Sequence, residues 1–283
     1  MIKTFKDAWG GEVYPRTTLK AVEDSNSLTL EHIVRRPFVK GINHRGFSVA
    51  APENTLPAYI LSYKKGFKYV ECDVAFTSDN VAVLLHDATI NRTSNGSGSI
   101  ASLTYAQVSQ YDFGSWFNSS FAGTKIPTLA EFLVLCRNLG LHPYIEIKSD
   151  TNYSQEHLQK IVDLVAAYGM KGNVTYISFS LSFLQKIKTI DSMARLGYLV
   201  QSVSSTTISD AKGLLTGFNE VFIDSSSYGS SVVSLCKDAG LPLEAWTINN
   251  EASIKNLNSF ISGVTSDSLV MEQIVGGYSA FES

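Results

Sequence analysis

Three carboxylates stand where apolar, strand-like runs of this sequence end. Glu71 and Asp73 lie two positions apart in the run KYVECDVA, and Glu146 lies near the end of the run PYIEIK. Residues two apart in a strand project from the same face, so Glu71 and Asp73 should point into one volume. Carboxylate oxygens form a hard site that suits Mg²⁺ or Ca²⁺ rather than zinc. The pattern therefore predicts one divalent cation held by these three residues.

Two histidines and two cationic side chains accompany the carboxylates. His44 ends the short run INH and precedes Arg45, His86 ends the run VAVLLH, and Lys148 follows Glu146 by two positions. Imidazole titrates near neutrality, so the two histidines could serve as general base and general acid. Arg45 could bind phosphate through paired hydrogen bonds and Lys148 as a point charge. The set indicates metal-assisted chemistry on an anionic phosphodiester.

Structural roles for these residues stay open at this point. A histidine at the end of a strand is more often a hydrogen-bonded structural residue than a catalyst, and Glu146 with Lys148 could form a simple ion pair. The remaining histidines are interpreted as structural; they are His32, His142 and His157. The cysteines are odd in number, widely spaced and set in apolar stretches, which predicts buried thiols rather than a disulfide framework or a metal site.

Beyond residue 40, the elements that must position these residues alternate regularly between strand-like and helical patterns. Nine strand-like runs occur, at 42–44, 68–75, 81–86, 143–148, 174–179, 196–200, 220–224, 243–248 and 263–265. Helical patterns lie between them, at 55–65, 128–139, 155–167, 181–190, 207–215, 230–239 and 251–260. Strands that alternate with helices indicate βαβ units and a parallel sheet.

The number of units favours a closed barrel. The run 81–86 follows its predecessor too closely for a parallel crossover, so these two strands should form an antiparallel hairpin. Eight strands remain, which predicts an α/β fold of the (β/α)₈ TIM-barrel type with a β-hairpin after its second strand. An open, doubly wound sheet is the alternative, but no glycine-rich phosphate loop follows the first strand. In a TIM barrel, side chains at the carboxyl ends of the strands form the active site.

Two segments stand outside this rhythm. The segment 88–126 is rich in Ser, Gly, Asn and aromatic residues. A connection of this length in a compact domain is commonly a lid or a binding insertion. Residues 1–40 form a more polar lead-in. We therefore predict an N-terminal extension at 1–40 and a barrel domain at 41–283 that contains a capping insertion at 88–126.

Charge and hydropathy exclude several classes of protein. The 283 residues include 23 basic and 26 acidic ones, for a formal net charge of −3, and no basic stripe indicates nucleic-acid binding. No apolar run approaches the roughly 20 residues that a membrane-spanning helix needs. Residues 1–9 lack the apolar stretch of a signal peptide, which predicts a cytoplasmic location.

An ordered series of motifs resembles the glycerophosphodiester phosphodiesterase family. HRG at 44–46 precedes PENT at 52–55, ECD at 71–73, HD at 86–87 and NRTSNG at 91–96. Further matches are FGSWF at 113–117, IPTL at 126–129, IEIK at 145–148, AWTIN at 245–249 and GVTSD at 263–267. The resemblance covers about residues 41–275, and the shared order of the motifs makes it specific.

This resemblance implies a TIM-type barrel that hydrolyses glycerophosphodiesters to glycerol 3-phosphate and an alcohol. The implied roles are metal ligands at Glu71, Asp73 and Glu146, catalytic histidines at His44 and His86, phosphate contacts at Arg45 and Lys148, and an aromatic contact to glycerol at Trp246. The segment 88–126 matches the insertion that caps the family's site. Glu53 and Asn54 are interpreted instead as helix-capping or loop-fixing residues at the start of the first helix.

Other functions remain open. A sphingomyelinase D-like or phosphoinositide-specific phospholipase would share the barrel and the site. The stretch GEVYPRTT at 11–18 and the residues after it resemble lead-ins of bacteriophage tail and baseplate proteins. That resemblance would suit a non-catalytic structural module, or an enzyme of a virion or cell surface that cleaves a glycerol-phosphate polymer such as teichoic acid. The expected partner of an enzyme is thus a small glycerophosphodiester or such a polymer.

Overall fold

The computed structural model describes residues 5–6, 12–13, 39–149, 153–217 and 219–269. The chain divides into two compact units, Met1–Pro37 and Phe38–Ser283. In the first unit, strands β1 (Phe5–Lys6) and β2 (Glu12–Val13) form an antiparallel pair. Most of the predicted extension at 1–40, including His32, lies outside the described residues, so its boundary and its role stay predictions.

A nine-stranded sheet forms the second unit, and eight of its strands are parallel. The strands are β3 (Lys40–Asn43), β4 (Tyr69–Phe76), β5 (Ala82–Leu84), β6 (His142–Ile147), β7 (Thr175–Ser178), β8 (Arg195–Val200), β9 (Val221–Ser225), β10 (Leu243–Ala245) and β11 (Ile261–Ser266). All except β5 run parallel to their neighbours, and β3 pairs with both β4 and β11. This double pairing closes the ring, so the predicted (β/α)₈ TIM barrel is confirmed.

The predicted hairpin is confirmed as well. Strand β5 runs antiparallel to β4, and Val74 pairs with Leu84. The turn between them contains Asn80 at a φ of +61°, a left-handed conformation that asparagine tolerates better than most residues. The hydroxyl of Thr77 accepts a hydrogen bond from the backbone N–H of Val81 at 2.9 Å. This tight turn starts the return strand that ends just before His86.

Helices occupy the predicted connections, and a further short helix, the second along the chain, lies in the insertion, where none was predicted. They are α1 (Leu56–Lys64), α2 (Tyr105–Val108), α3 (Leu129–Leu139), α4 (Gln155–Ala167), α5 (Leu181–Ile190), α6 (Ser205–Gly213), α7 (Ser230–Ala239) and α8 (Glu251–Lys255). Helix α3 begins with a capping box between Thr128 and Glu131 and ends at Gly140 in the left-handed conformation. None of the helices within the described residues combines the length and the apolar character of a membrane-spanning segment.

Helix α8 is shorter than the prediction, which extends to residue 260. It ends at Lys255 because asparagine side chains compete for the backbone that would continue it. The Asn256 amide donates to the carbonyl of Ala252 at 2.9 Å, and the side-chain oxygen of Asn258 accepts from the backbone of Phe260 at 2.9 Å. The apolar periodicity alone did not indicate this early end.

The insertion at 88–126 is a folded unit rather than an open loop. It contains α2 and two short 3₁₀ turns, Ile100–Ser102 and Ser119–Phe121. Its apolar side chains pack with residues of the hairpin in a separate small core, made of Ala75, Val83, Leu85, Ile90, Ile100, Val108, Phe113 and Ile126. The hairpin thereby joins the insertion to the barrel.

The barrel interior is filled by large side chains from alternating positions of its strands. These are Ile42, Tyr144, Ile177, Leu199 and Phe222. Gly197 makes room for them, because a Cβ atom there would lie 2.5 Å from the ring of Phe222. The three cysteines are buried and unpaired, as predicted. This packed layer supports the polar groups that follow at the carboxyl ends of the strands.

Candidate active site

Glu71, Asp73 and Glu146 come together in the barrel. Asp73 and Glu146 are register partners on the adjacent strands β4 and β6, and Glu71 precedes Asp73 on the same face. One carboxylate oxygen of each residue lies within 4.8 Å of the other two. The relative exposures of Glu71, Asp73 and Glu146 are 2%, 0% and 8%. The structure thus gathers the three predicted ligands into one buried cluster.

Burying three carboxylates this close together is unfavourable without a compensating cation. Burial and the neighbouring Asp73 raise the pKa of Glu71 to about 8 and that of Glu146 to about 7. Burial would also raise the pKa of Asp73, but Arg45 and Lys148 outweigh it and lower that pKa. Among the described residues, Oε1 of Glu71 has no hydrogen-bond partner. The donor set therefore fits a hard divalent cation such as Mg²⁺ or Ca²⁺.

Arg45 contacts the acidic cluster through both its backbone and its side chain. Its backbone N–H donates to Oε2 of Glu71 at 2.9 Å, and its Nε lies 3.3 Å from Oδ2 of Asp73. The residue has a φ of +56°, an uncommon conformation for a non-glycine residue. Lys148 reaches the same cluster, with Nζ 3.4 Å from Asp73 and 3.2 Å from Glu146. Both predicted phosphate contacts thus lie beside the predicted metal ligands.

His44 lies between the acidic cluster and a further carboxylate. Its Nδ1 is 2.6 Å from Oδ1 of Asp267, and its Nε2 is 3.9 Å from Oε2 of Glu71. Burial alone would lower the pKa of His44, but the hydrogen bond with Asp267 and the charge of Glu71 outweigh burial and raise it. Asn249 donates to Oδ2 of Asp267 at 2.7 Å and so orients that carboxylate.

His86 has a carboxylate partner of its own. Its Nδ1 lies 2.7 Å from Oδ1 of the adjacent Asp87. Hydrogen bonds from Arg92 and from His86 outweigh burial and hold the pKa of Asp87 well below its ordinary value. Each predicted catalytic histidine is therefore tied at Nδ1 to an aspartate.

Of the two roles predicted for Glu53 and Asn54, helix capping is wrong, whereas loop fixing agrees with their contacts. The N-cap of α1 is Thr55, and its side chain makes no capping hydrogen bond. Asn54 is buried, and its amide donates to Oδ2 of Asp73 at 2.8 Å, while Glu53 accepts from the guanidinium of Arg45 at 2.9 Å. The loop before α1 thus contacts the site directly, because its backbone turns back on Arg45 before the helix begins.

Trp246 follows β10 and packs at the edge of the apolar cluster inside the barrel. Its indole N–H donates to the backbone carbonyl of Asp224 at 3.1 Å. The ring meets Phe179 edge to face, with centroids 5.5 Å apart, and Phe179 is 36% exposed. The indole thus fills the barrel and also meets an aromatic side chain that is open to solvent.

The other described histidines serve their own elements. His142 shares a hydrogen bond of 2.9 Å with the hydroxyl of Thr175 on the next strand. His157 accepts a hydrogen bond from the backbone of Ser154 and completes the capping box of α4. Their structural interpretation agrees with these contacts.

Sequence reasoning gave no role in the site to several residues that contact the predicted set directly or through one intervening side chain. They are Glu53, Asn54, Asp87, Arg92, Asn249 and Asp267. All of them lie inside the motifs PENT, HD, NRTSNG, AWTIN and GVTSD, so a signal was present. The motifs did not reveal which side chain each residue would contact.

The sequence model of the glycerophosphoryl diester phosphodiesterase family matches residues 44–270. A glycerophosphodiester phosphodiesterase from Caldanaerobacter subterraneus is 28% identical over 235 residues, which covers 80% of this chain and 93% of the relative. One from Bacillus subtilis is 28% identical over 258 residues and covers 85% of each chain. The match to the family model spans the acidic cluster, both histidines and the insertion.

Solved structures are similar over the same region. A phosphodiesterase from Oleispira antarctica, in complex with the product sn-glycerol-3-phosphate, has a TM-score of 0.73 and 27% identity, covering 86% of this chain and 98% of its own. A glycerophosphodiester phosphodiesterase from Agrobacterium tumefaciens has a TM-score of 0.68 and 25% identity, covering 85% and 100%. The similarity thus spans nearly the whole of each structure.

Proposed function

This chain belongs to the glycerophosphoryl diester phosphodiesterase family and is a phosphodiesterase; we propose that it cleaves glycerophosphodiesters with one divalent cation and the histidine pair His44 and His86. The observation that carries the proposal is the position of His44, whose Nε2 lies 3.9 Å from the buried Glu71 carboxylate. A proton-transfer group and a cluster suited to a cation then share one volume. The expected product is the glycerol 3-phosphate that the Oleispira antarctica relative binds.

Glu71, Asp73 and Glu146 are the residues we propose as ligands of the cation. Their oxygens lie within 4.8 Å of one another, a separation that a single ion can bridge. When bound, the cation supplies positive charge beside the phosphoryl oxygens and offsets the charge that develops there. Arg45 and Lys148 add two fixed cationic groups at the same place, and we propose that both bind the phosphate.

The two histidines are proposed as the proton-transfer groups. In each ring, Nδ1 faces an aspartate at 2.6 or 2.7 Å, which leaves Nε2 to exchange protons. One imidazole removes a proton from the nucleophile as the new P–O bond forms. The other donates a proton to the alcohol oxygen as the old P–O bond breaks. The nucleophile is water or the neighbouring glycerol hydroxyl, which would give a cyclic phosphate first.

Trp246 is proposed as an apolar contact for the glycerol carbons. Its ring stands between the interior of the barrel and the exposed Phe179. A glycerol backbone that packs against an indole face would place its phosphate on the polar side of the site.

The experiment is a panel of diesters, assayed with EDTA and then with Mg²⁺ or Ca²⁺ added back. Glycerophosphocholine represents the proposed substrate, and intact phospholipid and purified glycerol-phosphate polymer represent the alternatives. We expect glycerol 3-phosphate from glycerophosphocholine, loss of turnover in EDTA and recovery with the cation. His44→Ala and His86→Ala should each lower kcat by at least about 10²-fold.

The matched control is His157→Gln, because glutamine at this position preserves the capping box of α4. Turnover within a few-fold of the parent in both histidine variants would disprove the histidine roles. Full turnover in EDTA would disprove the need for a cation.

A further inference from the structure

Arg92 bridges two carboxylates that come from different parts of the chain. It lies in the insertion, and its guanidinium donates to Asp87 from Nε at 2.7 Å and from NH2 at 3.0 Å. It also donates to Glu53 from NH1 at 2.7 Å and from NH2 at 2.9 Å. Both contacts are therefore two-point contacts, which fix the orientation as well as the distance of each carboxylate.

Each bridged carboxylate holds one of the proposed functional groups. Asp87 accepts from Nδ1 of His86 at 2.7 Å in the tautomer that carries the proton there. Glu53 accepts from NH1 of Arg45 at 2.9 Å, and Arg45 in turn lies beside Asp73. A continuous path of ion pairs thus runs from His86 through Arg92 to the acidic cluster.

We propose that Arg92 is a positioning residue, which holds His86 and Arg45 in their working orientations from within the insertion. The inference rests on the proposed function of those two groups. Four of the five guanidinium N–H groups are used by the two carboxylates. Arg92 therefore acts through Asp87 and Glu53 instead of binding the phosphate.

The contribution of Arg92 should be to orientation far more than to stability. Its side chain is 45% exposed, so solvent screens its charge, and surface ion pairs stabilise folding little. A misplacement of about 1 Å at a proton-transfer group can nevertheless cost about 10²-fold in rate. Loss of Arg92 should thus reduce kcat while the protein stays folded.

The test compares Arg92→Ala and Arg92→Lys with a control in the same insertion, Lys125→Ala. Lys125 donates to the backbone carbonyls of Gln110 and Tyr111, which lie outside the bridge that Arg92 forms. We expect kcat to fall by about 10²-fold in Arg92→Ala and to recover little in Arg92→Lys, since an ammonium cannot make both two-point contacts. Lys125→Ala should keep the kcat of the parent.

Two further readouts separate positioning from a merely structural role. Millimolar guanidinium should partly restore kcat in Arg92→Ala but not in Asp87→Asn, because the ion can occupy the vacated place only where Asp87 remains. The double variant Arg92→Ala/Asp87→Asn should have a kcat only slightly below that of the less active single variant. An equal loss of kcat in Lys125→Ala would overturn the inference. So would a failure of guanidinium to restore kcat in Arg92→Ala together with fully additive losses in the double variant.

The last readout does not depend on turnover. ¹⁵N chemical shifts of the His86 ring should report mainly the Nδ1–H tautomer in the parent and a mixture of tautomers in Arg92→Ala. An unchanged tautomer would overturn the inference even if the parent proved active on no diester. Conversely, a parent without diesterase activity would remove the proposed function, while the tautomer measurement would still decide the role of Arg92.

Discussion

Nδ1 of His44 lies 2.6 Å from Oδ1 of Asp267, although 223 positions separate the two residues in the sequence. They follow β3 and β11, the first and last strands of the barrel. These strands are neighbours because the barrel closes between them, with Ser266 paired to Asn43. The contact fixes the ring of His44 so that its other nitrogen faces the acidic cluster.

Asp267→Asn should lower kcat by at least about 10²-fold with little change in stability. An amide can favour the wrong tautomer of His44, and it cannot stabilise a positive charge on the ring. Steady-state kinetics with glycerophosphocholine measure the effect. Asp238→Asn, on the exposed face of α7, is the control and should match the parent. A kcat near that of the parent in Asp267→Asn would show that the aspartate does not orient a functional group.

Mg²⁺ or Ca²⁺ should raise the melting temperature of the parent, because a cation offsets the repulsion among three buried carboxylates. Glu71→Gln should lose most of this increase and should melt no lower than the parent in EDTA, since a neutral amide of the same shape replaces a buried carboxyl whose pKa is raised to about 8. Differential scanning fluorimetry gives both values. Glu220→Gln, which alters an ion pair with Arg195 outside the site, is the control. An equal increase in Glu71→Gln would argue against this residue as a ligand.

His142 should make folding sensitive to acid. Burial, with Arg195, Lys40 and Lys68 nearby, lowers its pKa to about 3. In the unfolded chain, His142 takes up a proton below about pH 6.5, whereas in the folded protein it stays neutral down to about pH 3. The stability that depends on its neutral form is therefore present above pH 6.5 and is lost as the pH falls towards 3. His142→Gln should narrow the difference in unfolding free energy between pH 7 and pH 5 by at most about 2 kcal/mol. Urea titrations at both pH values measure it, and an unchanged difference would refute the expectation.

Gly197→Ala should destabilise the barrel by about 1–3 kcal/mol. The added Cβ would lie 2.5 Å from the ring of Phe222 and 2.8 Å from Ile177. Gly213→Ala is the matched control, because nothing lies within 4 Å of the added atom there. Urea denaturation should separate the two variants, and Phe222→Leu should partly restore the stability of Gly197→Ala. Equal stability of the two alanine variants would mean that the interior yields to the extra methyl.

Most of the fold could be predicted from the sequence because the barrel repeats one local pattern. Apolar runs with helical segments between them give eight units, and the short turn before β5 identifies the hairpin. The errors occur where polar side chains bind the backbone. Asn256 and Asn258 end α8 early through side-chain hydrogen bonds to the backbone, which the spacing of apolar residues does not indicate.

Some residues of the site could be predicted from the sequence, and others could not. Glu71 and Asp73 share a face by spacing alone, and Glu146 joins them because β4 and β6 are adjacent. The partner of His44 could not be predicted from spacing, because Asp267 becomes its neighbour only through closure of the ring. Of the two roles predicted for Asn54, only the cap is wrong, because its side chain turns inward to Asp73 and fixes the loop there.

The pairing of β3 with β11 also determines the order in which parts of the site can form while the chain is synthesised from its N-terminus. A ribosome-bound chain that has emerged as far as α8 already contains all three carboxylates and both histidines, yet it has no Asp267 for His44 and no partner for the free edge of β3. Any chemistry that needs this pair can begin only after the last strand has docked. Turnover by a nascent chain would then report the docking of β11 against β3.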